Sequence, residues 1–331
     1  MKTDYLDTNF GCDPEVFIVG KGGVIPPAAF IADYGIPFHK LDAPKKIIIE
    51  GNGYKVIEDG AATELNVDPD SYFPNLWVRI NSALSNLNNW LHKTPMSAEG
   101  AILTIMPSVA FDKQKYWINR DESFRDCVRF GCDPDLDIYT GKYSKEISVE
   151  DIKLRFGGGH LHMQAPSDYP ELFQENYYHT TRLMDILVGN AATAIMRNSP
   201  SMDEAEKERL KYYGQPGKIR LQVYGDKIFG IEYRTPSNFW LNDMSYAHIL
   251  FLLMNCCLNL TRHPLDANDI LELPKAEHAP SNIINYDKKR ATELIMSSID
   301  RLVSMKYLNF DDLYCIMKVI DYKRNGRRRE T

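Results

Sequence analysis

Phe229-Gly230-Ile231-Glu232-Tyr233-Arg234-Thr235 changes character from one residue to the next. Successive side chains of an extended strand point to opposite faces, so Ile231, Tyr233 and Thr235 share one face and Glu232 and Arg234 the other. The preceding stretch, Lys218-Ile-Arg-Leu-Gln-Val-Tyr224, alternates likewise, with Arg220 and Gln222 on its polar face. Tyr224-Gly-Asp-Lys227 supplies turn residues between them, so the two stretches read as a hairpin. Charges on a strand face that lies in a core need a partner there, whether another part of the protein, a metal or an anion.

Working outward, Gly11 to Val19 reads as a strand entered through a turn, with Asp13 and Glu15 flanking Pro14 on one face. Ile47–Ile49 and Tyr54–Ile57 are short strand candidates. In Asp59-Gly-Ala-Ala-Thr-Glu-Leu-Asn-Val67, Glu64 and Asn66 share a face. Pro69-Asp-Ser opens a helix whose apolar positions run from Phe73 to Leu91 at helical spacing. Ala101–Ala110 reads as a buried strand. Ile152–Met163 reads as another, with His160 and His162 on one face and Gly157-Gly-Gly159 allowing close backbone approach. Pro170–Arg197 reads as a long helix capped by Ser167 and Asp168, followed by a polar segment, Ser199–Lys211. Beyond Trp240 the pattern becomes helical: a helix over Asp243–Arg262, a proline-bearing loop over His263–Ser281, and terminal helices over Tyr286–Met305 and Phe310–Tyr322. Gly131-Cys-Asp-Pro134 repeats Gly11-Cys-Asp-Pro14; it reads either as a duplicated metal-ligand device or as a common turn starter.

The 331 residues suffice for one large body or two ordinary ones, and 44% apolar with 25% charged residues is a globular balance. A net charge of −6 gives no overall basic field for nucleic acid. The basic run from Lys323 to Arg329 reads as a solvated tail, with nucleic-acid or partner contact as the alternative. The six cysteines form no Cys-x-x-Cys pair and read as reduced thiols. No apolar signal segment opens the chain, and the run Ile249–Leu258 is too short to span a bilayer, so a cytoplasmic protein without membrane contact is expected.

Four separated segments each put paired polar groups on one strand face: Asp13/Glu15, Glu64/Asn66, His160/His162 and Glu232/Arg234, with Arg220/Gln222 as a fifth. Each pair alone is an ordinary solvated strand pair. Together, Glu15, Glu64 and Glu232 in one cleft would repel one another, and divalent cations such as Mg²⁺ or Mn²⁺ resolve that through hard oxygen ligands. Arg220 and Arg234 then suit a phosphate or carboxylate held by a guanidinium fork. Metals plus arginines along a sheet describe a phosphoryl-transfer site. Neither a Gly-x-x-x-x-Gly-Lys-Ser/Thr stretch nor a Gly-x-Gly-x-x-Gly stretch is present.

Asp13-Pro-Glu15, Asp59-Gly-Ala-Ala-Thr-Glu64-Leu-Asn, Gly158-Gly-His-Leu-His162, Tyr213-Gly-Gln-Pro-Gly-Lys-Ile-Arg220 and Ile231-Glu-Tyr-Arg234-Thr-Pro-Ser-Asn-Phe-Trp240 occur in this order. The pattern, over roughly residues 11 to 240, resembles the carboxylate–amine ligases of the glutamine synthetase and glutamate–cysteine ligase superfamily, and most of all the group encoded by tailed bacteriophages. That resemblance implies an α+β fold: a curved, mostly antiparallel sheet with helices outside it and the site on its concave face. It implies an ATP-dependent condensation in which a substrate carboxylate takes the γ-phosphate and an amine displaces phosphate from the acyl-phosphate. Carried over to this chain, Glu15, Glu64, His160 and Glu232 resemble metal ligands. Asp13, standing where a longer glutamate is common, and His162 are counted with the metal ligands, a place beside the ligands being the alternative for His162. Arg220 and Arg234, with Lys218 next to them, resemble the groups that hold the nucleotide's phosphates. Asp59 is placed to help deprotonate the amine.

The expected partners are therefore ATP, Mg²⁺ or Mn²⁺, an amino-acid or peptide carboxylate, and an amine. Members of the superfamily range from dimers to rings, so the oligomeric state stays open; a phage-encoded member would work in the host cytoplasm. A guanidino-type kinase on the same site and a binding module without turnover are the alternatives. Residues 1–262 are expected to form the catalytic domain, with 263–331 a loop and helical extension on the same body.

Overall fold

The computed structural model describes residues 5–41, 46–112, 115, 134–144, 153–196 and 199–326. Its strands in chain order are β1 (Tyr5–Cys12), β2 (Glu15–Gly20), β3 (Gly23–Val24), β4 (Ile47–Gly51), β5 (Tyr54–Asp59), β6 (Ala62–Tyr72), β7 (Ile102–Thr104), β8 (Ser108–Ala110), β9 (Leu136–Asp137), β10 (Lys142–Tyr143), β11 (Leu154–Phe156), β12 (Leu161–Gln164), β13 (Lys218–Tyr224) and β14 (Lys227–Tyr233). Twelve of them form one strongly curled sheet with the central order β10-β9-β13-β14-β12-β1-β6-β2-β3. β4 and β5 extend it from β6, and β7 joins β2. Every pairing described in it is antiparallel. With the packed helices, the fold class is α+β.

The β13–β14 hairpin forms around a two-residue loop, Gly225-Asp226, with Gly225 at a φ of 64°. A left-handed first loop residue matches the twist of the flanking strands, and glycine adopts it without strain. Tyr233 and Ile231 face the helical side and are fully buried. Tyr233 reaches Asp185 there, whereas Glu232 leaves the opposite face toward Arg220.

Several sequence readings are corrected by tertiary context. Ala101–Ala110 is not one buried strand: Ile105-Met106-Pro107 divides β7 from β8, and Ile102 is 61% exposed. Pro107 has no N–H for a ladder and instead accepts from Gly157 N at 2.9 Å. Ile152–Met163 splits at the triple glycine, so β11 pairs with β8 while β12 enters the large sheet. A Cβ on Gly159 would lie 2.3 Å from Ser237 O, so the close approach there is to a neighbouring segment. β6 continues to Tyr72, and the helix begins at Phe73 rather than at Pro69.

The long helix starts at Leu172 and has no side-chain cap; Asp168 pairs with Arg262 instead. It passes through a π-turn at Asp185–Gly189 before resuming to Ile195. Pro200–Leu210 is helical. The loop expected over His263–Ser281 contains helices Pro264–Leu271 and Ala279–Ile284, each with proline in its first turn, where the missing N–H costs nothing. Lys288–Ser304 and Phe310–Gly326 close the chain.

Met244–Arg262, opened by the Asp243 side chain accepting from Ser245 N, runs through the core. It is the one described helix long and apolar enough to cross a membrane, and most of it is buried inside the fold. Cys12, Cys256 and Cys257 are buried free thiols and Cys315 is exposed and free; Cys127, Cys132 and most of the Gly131–Pro134 repeat lie outside the described residues.

Candidate functional site

Ladder register sets the site. Arg220 lies opposite Glu232, Glu232 opposite His162, and His162 opposite Gly11, so one row crosses β13, β14, β12 and β1. Asp13 stands just past the end of β1, in the short link to β2, and closes the row from that side. His160 precedes β12, where the glycines bring the backbone against residues 236–238.

The ligand atoms of Asp13, His160 and Glu232 lie within 4.8 Å of one another. His160 Nδ1 is 3.3 Å from Asp13 Oδ1 and 3.4 Å from Glu232 Oε1. His160 Nε2 meets the Tyr213 hydroxyl at 2.7 Å. A hydroxyl can donate or accept, so Tyr213 satisfies Nε2 in either tautomer. With the proton on Nε2, the Nδ1 lone pair faces the two carboxylates. Burial, followed by the positive charge of Arg234, lowers the His160 pKa and favours the neutral imidazole a metal requires.

Both carboxylates are held ionised. Burial alone would raise Glu232, but Arg234 and then His160 outweigh it and the net shift is downward. Asp13 is likewise opposed by burial, yet the charges and hydrogen bonds of His162 and His160 hold it well below the usual carboxylate range. His162 Nε2 donates to the ionised Asp13 Oδ1, 2.9 Å away, and Nδ1 meets Gln222 Nε2 at 3.0 Å. Burial pulls its pKa down, and the Asp13 charge and hydrogen bond more than reverse that. His162 therefore orients Asp13, and its imidazole lies outside the triad.

Glu232 also receives both arginines. Arg220 Nη1 is 3.2 Å from Oε2, and Arg234 Nη1 contacts Oε1. Arg234 is almost wholly enclosed: Nη2 donates to Tyr213 Oη at 2.6 Å, and Nε lies 2.5 Å from Asp135 Oδ1, a charge contact without aligned hydrogen-bond geometry. Arg220 keeps about a third of its side chain in solvent (32%), so it can meet an incoming anion. Lys218 is turned elsewhere, its Nζ 3.3 Å from Asp137 Oδ2 and 2.9 Å from Ser144 Oγ.

Glu15 and Glu64 form an adjoining acidic group on β2 and β6. Gly158 N donates to Glu15 Oε2 at 2.8 Å. Burial, then the negative charge of Asp59, pushes the Glu15 carboxyl up to about 8. Asp59 ends β5 at a tight turn, opposite Ala62. Asn66, expected on the face of Glu64, is exposed.

The structure thus gathers Asp13, His160, His162, Glu232, Arg220 and Arg234 into one network, sets Glu15, Glu64 and Asp59 beside it, and keeps the Lys218 ammonium on the β9–β10 hairpin. Two oxygens and one imidazole nitrogen make a donor set that can hold a divalent metal ion. Cys12 is next to Asp13, but burial pushes its thiol well up and keeps it protonated.

Strand patterning paired Gln222 with Arg220 but did not single out Tyr213, Asp135 or Asn238. Tyr213 lies in a turn-rich loop, Asp135 just before β9, and Asn238 binds Glu15 O through Nδ2 at 2.7 Å. Only Gln222, alternating with Arg220, carries a local signal. No protein-family model matches the chain, and a search of curated proteins finds no match.

Proposed function

We propose that the chain is an ATP- and divalent-metal-dependent carboxylate–amine ligase that forms an amide or peptide-like bond, built on a glutamine synthetase-like catalytic sheet. The observation that carries this reading is the convergence on Glu232: the carboxylate completes a triad with buried His160 and partly buried Asp13 and also receives Arg220 and Arg234. An ion pair made only for stability would need one arginine and no such triad. The curled antiparallel sheet supports the same fold assignment.

Asp13, His160 and Glu232 would hold the cation, with Glu15 and Glu64 extending the acidic side. When bound, the cation and ATP supply charge neutralisation and the phosphoryl group that activates the carboxylate. Arg220, with about a third of its side chain in solvent, binds the transferred group; Arg234, locked by Asp135 and Tyr213, presents a fixed positive field with little reorganisation. Asp59, half-buried beside Glu15, is the residue available to take a proton from the amine. His162 keeps Asp13 aimed at the triad.

The test is phosphate release from ATP with Mg²⁺ or Mn²⁺ in the presence of pooled amino acids and amines, with mass detection of products. Release coupled to an amide product supports the ligase. ADP with a phosphorylated product and no amide identifies a guanidino-type kinase, and no turnover with any pair leaves the binding module.

A further inference from the structure

Asp185 lies on the far side of β14 from the triad and is fully buried. Its carboxylate is shared by three segments of the candidate site. Oδ1 accepts from the Tyr233 hydroxyl at 2.7 Å and from Gly217 N at 3.1 Å, and Oδ2 accepts from the Tyr139 hydroxyl at 2.6 Å. Tyr233 ends β14, between Glu232 and Arg234. Gly217 directly precedes β13, which carries Lys218 and Arg220. Tyr139 lies in the turn after β9, on the hairpin that brings Asp135 to Arg234.

The helix is distorted to build this socket. Its π-turn begins at Asp185 and ends at Gly189, where a Cβ would stand 2.5 Å from Tyr233 Oη. The Asp185 carbonyl accepts from Asn190 Nδ2 at 2.7 Å, and Asn282 Nδ2 in turn donates to Asn190 Oδ1 at 3.0 Å. A Cβ on Gly217 would meet the Tyr139 ring at 2.6 Å, so this glycine lets the hairpin close onto the carboxylate. π-turns cost helix stability and cluster at functional places. Here the turn serves one carboxylate that no step of the proposed chemistry uses.

We propose that Asp185 is a positioning residue for the metal and phosphate site, fixing β14 through Tyr233, the start of β13 through Gly217 and the Asp135 hairpin through Tyr139. This rests on the metal-site reading above, and its readout is cation affinity rather than turnover. Burial pushes the Asp185 carboxyl up to about 6, partly offset by its hydrogen bonds, so it is mostly ionised as a strong acceptor near neutral pH.

The experiment is Mn²⁺ binding to the full chain, read by loss of the free-ion paramagnetic signal, for the wild type, Asp185→Asn, Tyr233→Phe and Tyr139→Phe, each checked for cooperative unfolding. Tyr233→Phe removes one hydroxyl and keeps the ring, so it carries the test if Asp185→Asn does not fold. The expected result is about tenfold weaker Mn²⁺ binding in Asp185→Asn and Tyr233→Phe, the scale of a lost orienting partner. Tyr139→Phe, acting on the arginine side, shows a smaller loss. Folded Asp185→Asn and Tyr233→Phe proteins with wild-type Mn²⁺ affinity overturn the proposal, since a purely structural role would lower only the unfolding temperature. A wild type that binds Mn²⁺ but releases no phosphate from ATP with the pooled amino acids and amines present removes the ligase reading, and weaker Mn²⁺ binding in the variants then still supports the positioning role. A wild type that binds no Mn²⁺ overturns the metal site and this proposal with it.

Discussion

Glu15 and Glu64 are direct cross-strand partners on β2 and β6, and both are buried. Like charges opposite one another destabilise a sheet. The pair persists here with Glu15 pushed up to about 8, by burial and then by the charge of Asp59, with Glu64 adding to it. A carboxyl whose folded pKa exceeds its unfolded value binds an extra proton in the folded state, so stability falls as pH rises between the two values. Metal-free protein should therefore lose stability between about pH 4.5 and pH 8. Glu15→Gln should remove that component, raising the unfolding temperature at pH 8 and leaving it nearly unchanged at pH 5. Thermal unfolding at the two pH values checks this. A variant that tracks the wild type at both would show that Glu15 is ordinary.

Glu232 has three partners with different demands, so its replacement separates folding from binding. In Glu232→Gln the single amide oxygen still accepts from Arg234, the amide NH2 cannot accept from Arg220, whose partly solvated guanidinium turns to water, and Arg234 keeps Asp135 and Tyr213. The stability loss should be modest, about 1–3 kcal/mol. The ligand charge is gone, so Mn²⁺ affinity should fall by about 100-fold or more, and metal-dependent ATP turnover should disappear. Calorimetric Mn²⁺ titration beside denaturant unfolding gives both quantities. Turnover at the wild-type level in this variant would remove Glu232 from the site.

The alternation that exposed Glu232 and Arg234 is local: a two-residue period is visible without knowing what packs on either face. For the same reason His160 and His162 could be paired on one face. Alternation alone could not separate their tasks, because β12 begins only at Leu161 and His160 belongs to the glycine crossing before it. Tyr213 carries no such mark. Its loop has turn composition, and its hydroxyl finds His160 and Arg234 only through the tertiary arrangement of β12 and β14. The helices within 264–284 were hidden because Pro264 and Pro280 look like breakers, whereas each occupies a helix's first turn. The π-turn at Asp185 has no sequence period of its own, and it ends at Gly189, where a Cβ would crowd the Tyr233 hydroxyl.

Tyr213 links the Asp13–His160–Glu232 triad to Arg234, since one hydroxyl touches His160 Nε2 and Arg234 Nη2. Tyr213→Phe keeps the ring stacked near Phe156 and removes only that link. Two buried polar groups then lose a partner, at about 1–3 kcal/mol in stability. Mn²⁺ binding should weaken about tenfold, as for other lost orienting partners. Tyr213→His, which restores a polar atom, should recover part of the stability without the affinity. Equal Mn²⁺ affinity in wild type and Tyr213→Phe would mean that His160 needs no help to face the carboxylates.

Arg209 makes the last prediction, because it fixes the backbone on which Arg234 stands. Its guanidinium is fully buried and donates through Nη2 to the carbonyls of Arg234, Thr235 and Pro236 at 3.3, 2.9 and 3.2 Å, while Nη1 pairs with Glu206 at 3.0 Å. Gly214, at a φ of 68°, leaves room for it: a Cβ there would lie 2.0 Å from Arg209 Nη2. Arg209→Met keeps the volume but strands Glu206, a buried carboxylate already raised by burial and held back chiefly by Arg209. Breaking a buried pair from one side costs about 3–5 kcal/mol. With Arg209 gone, the folded pKa of Glu206 rises further above its unfolded value, so the loss should grow as pH rises. The variant should therefore be closer to wild type at pH 5 than at pH 8 in thermal unfolding. Adding Glu206→Gln should flatten that difference, because the stranded charge is then removed. A pH-independent loss in the single variant would show that Arg209 acts only through the three carbonyls.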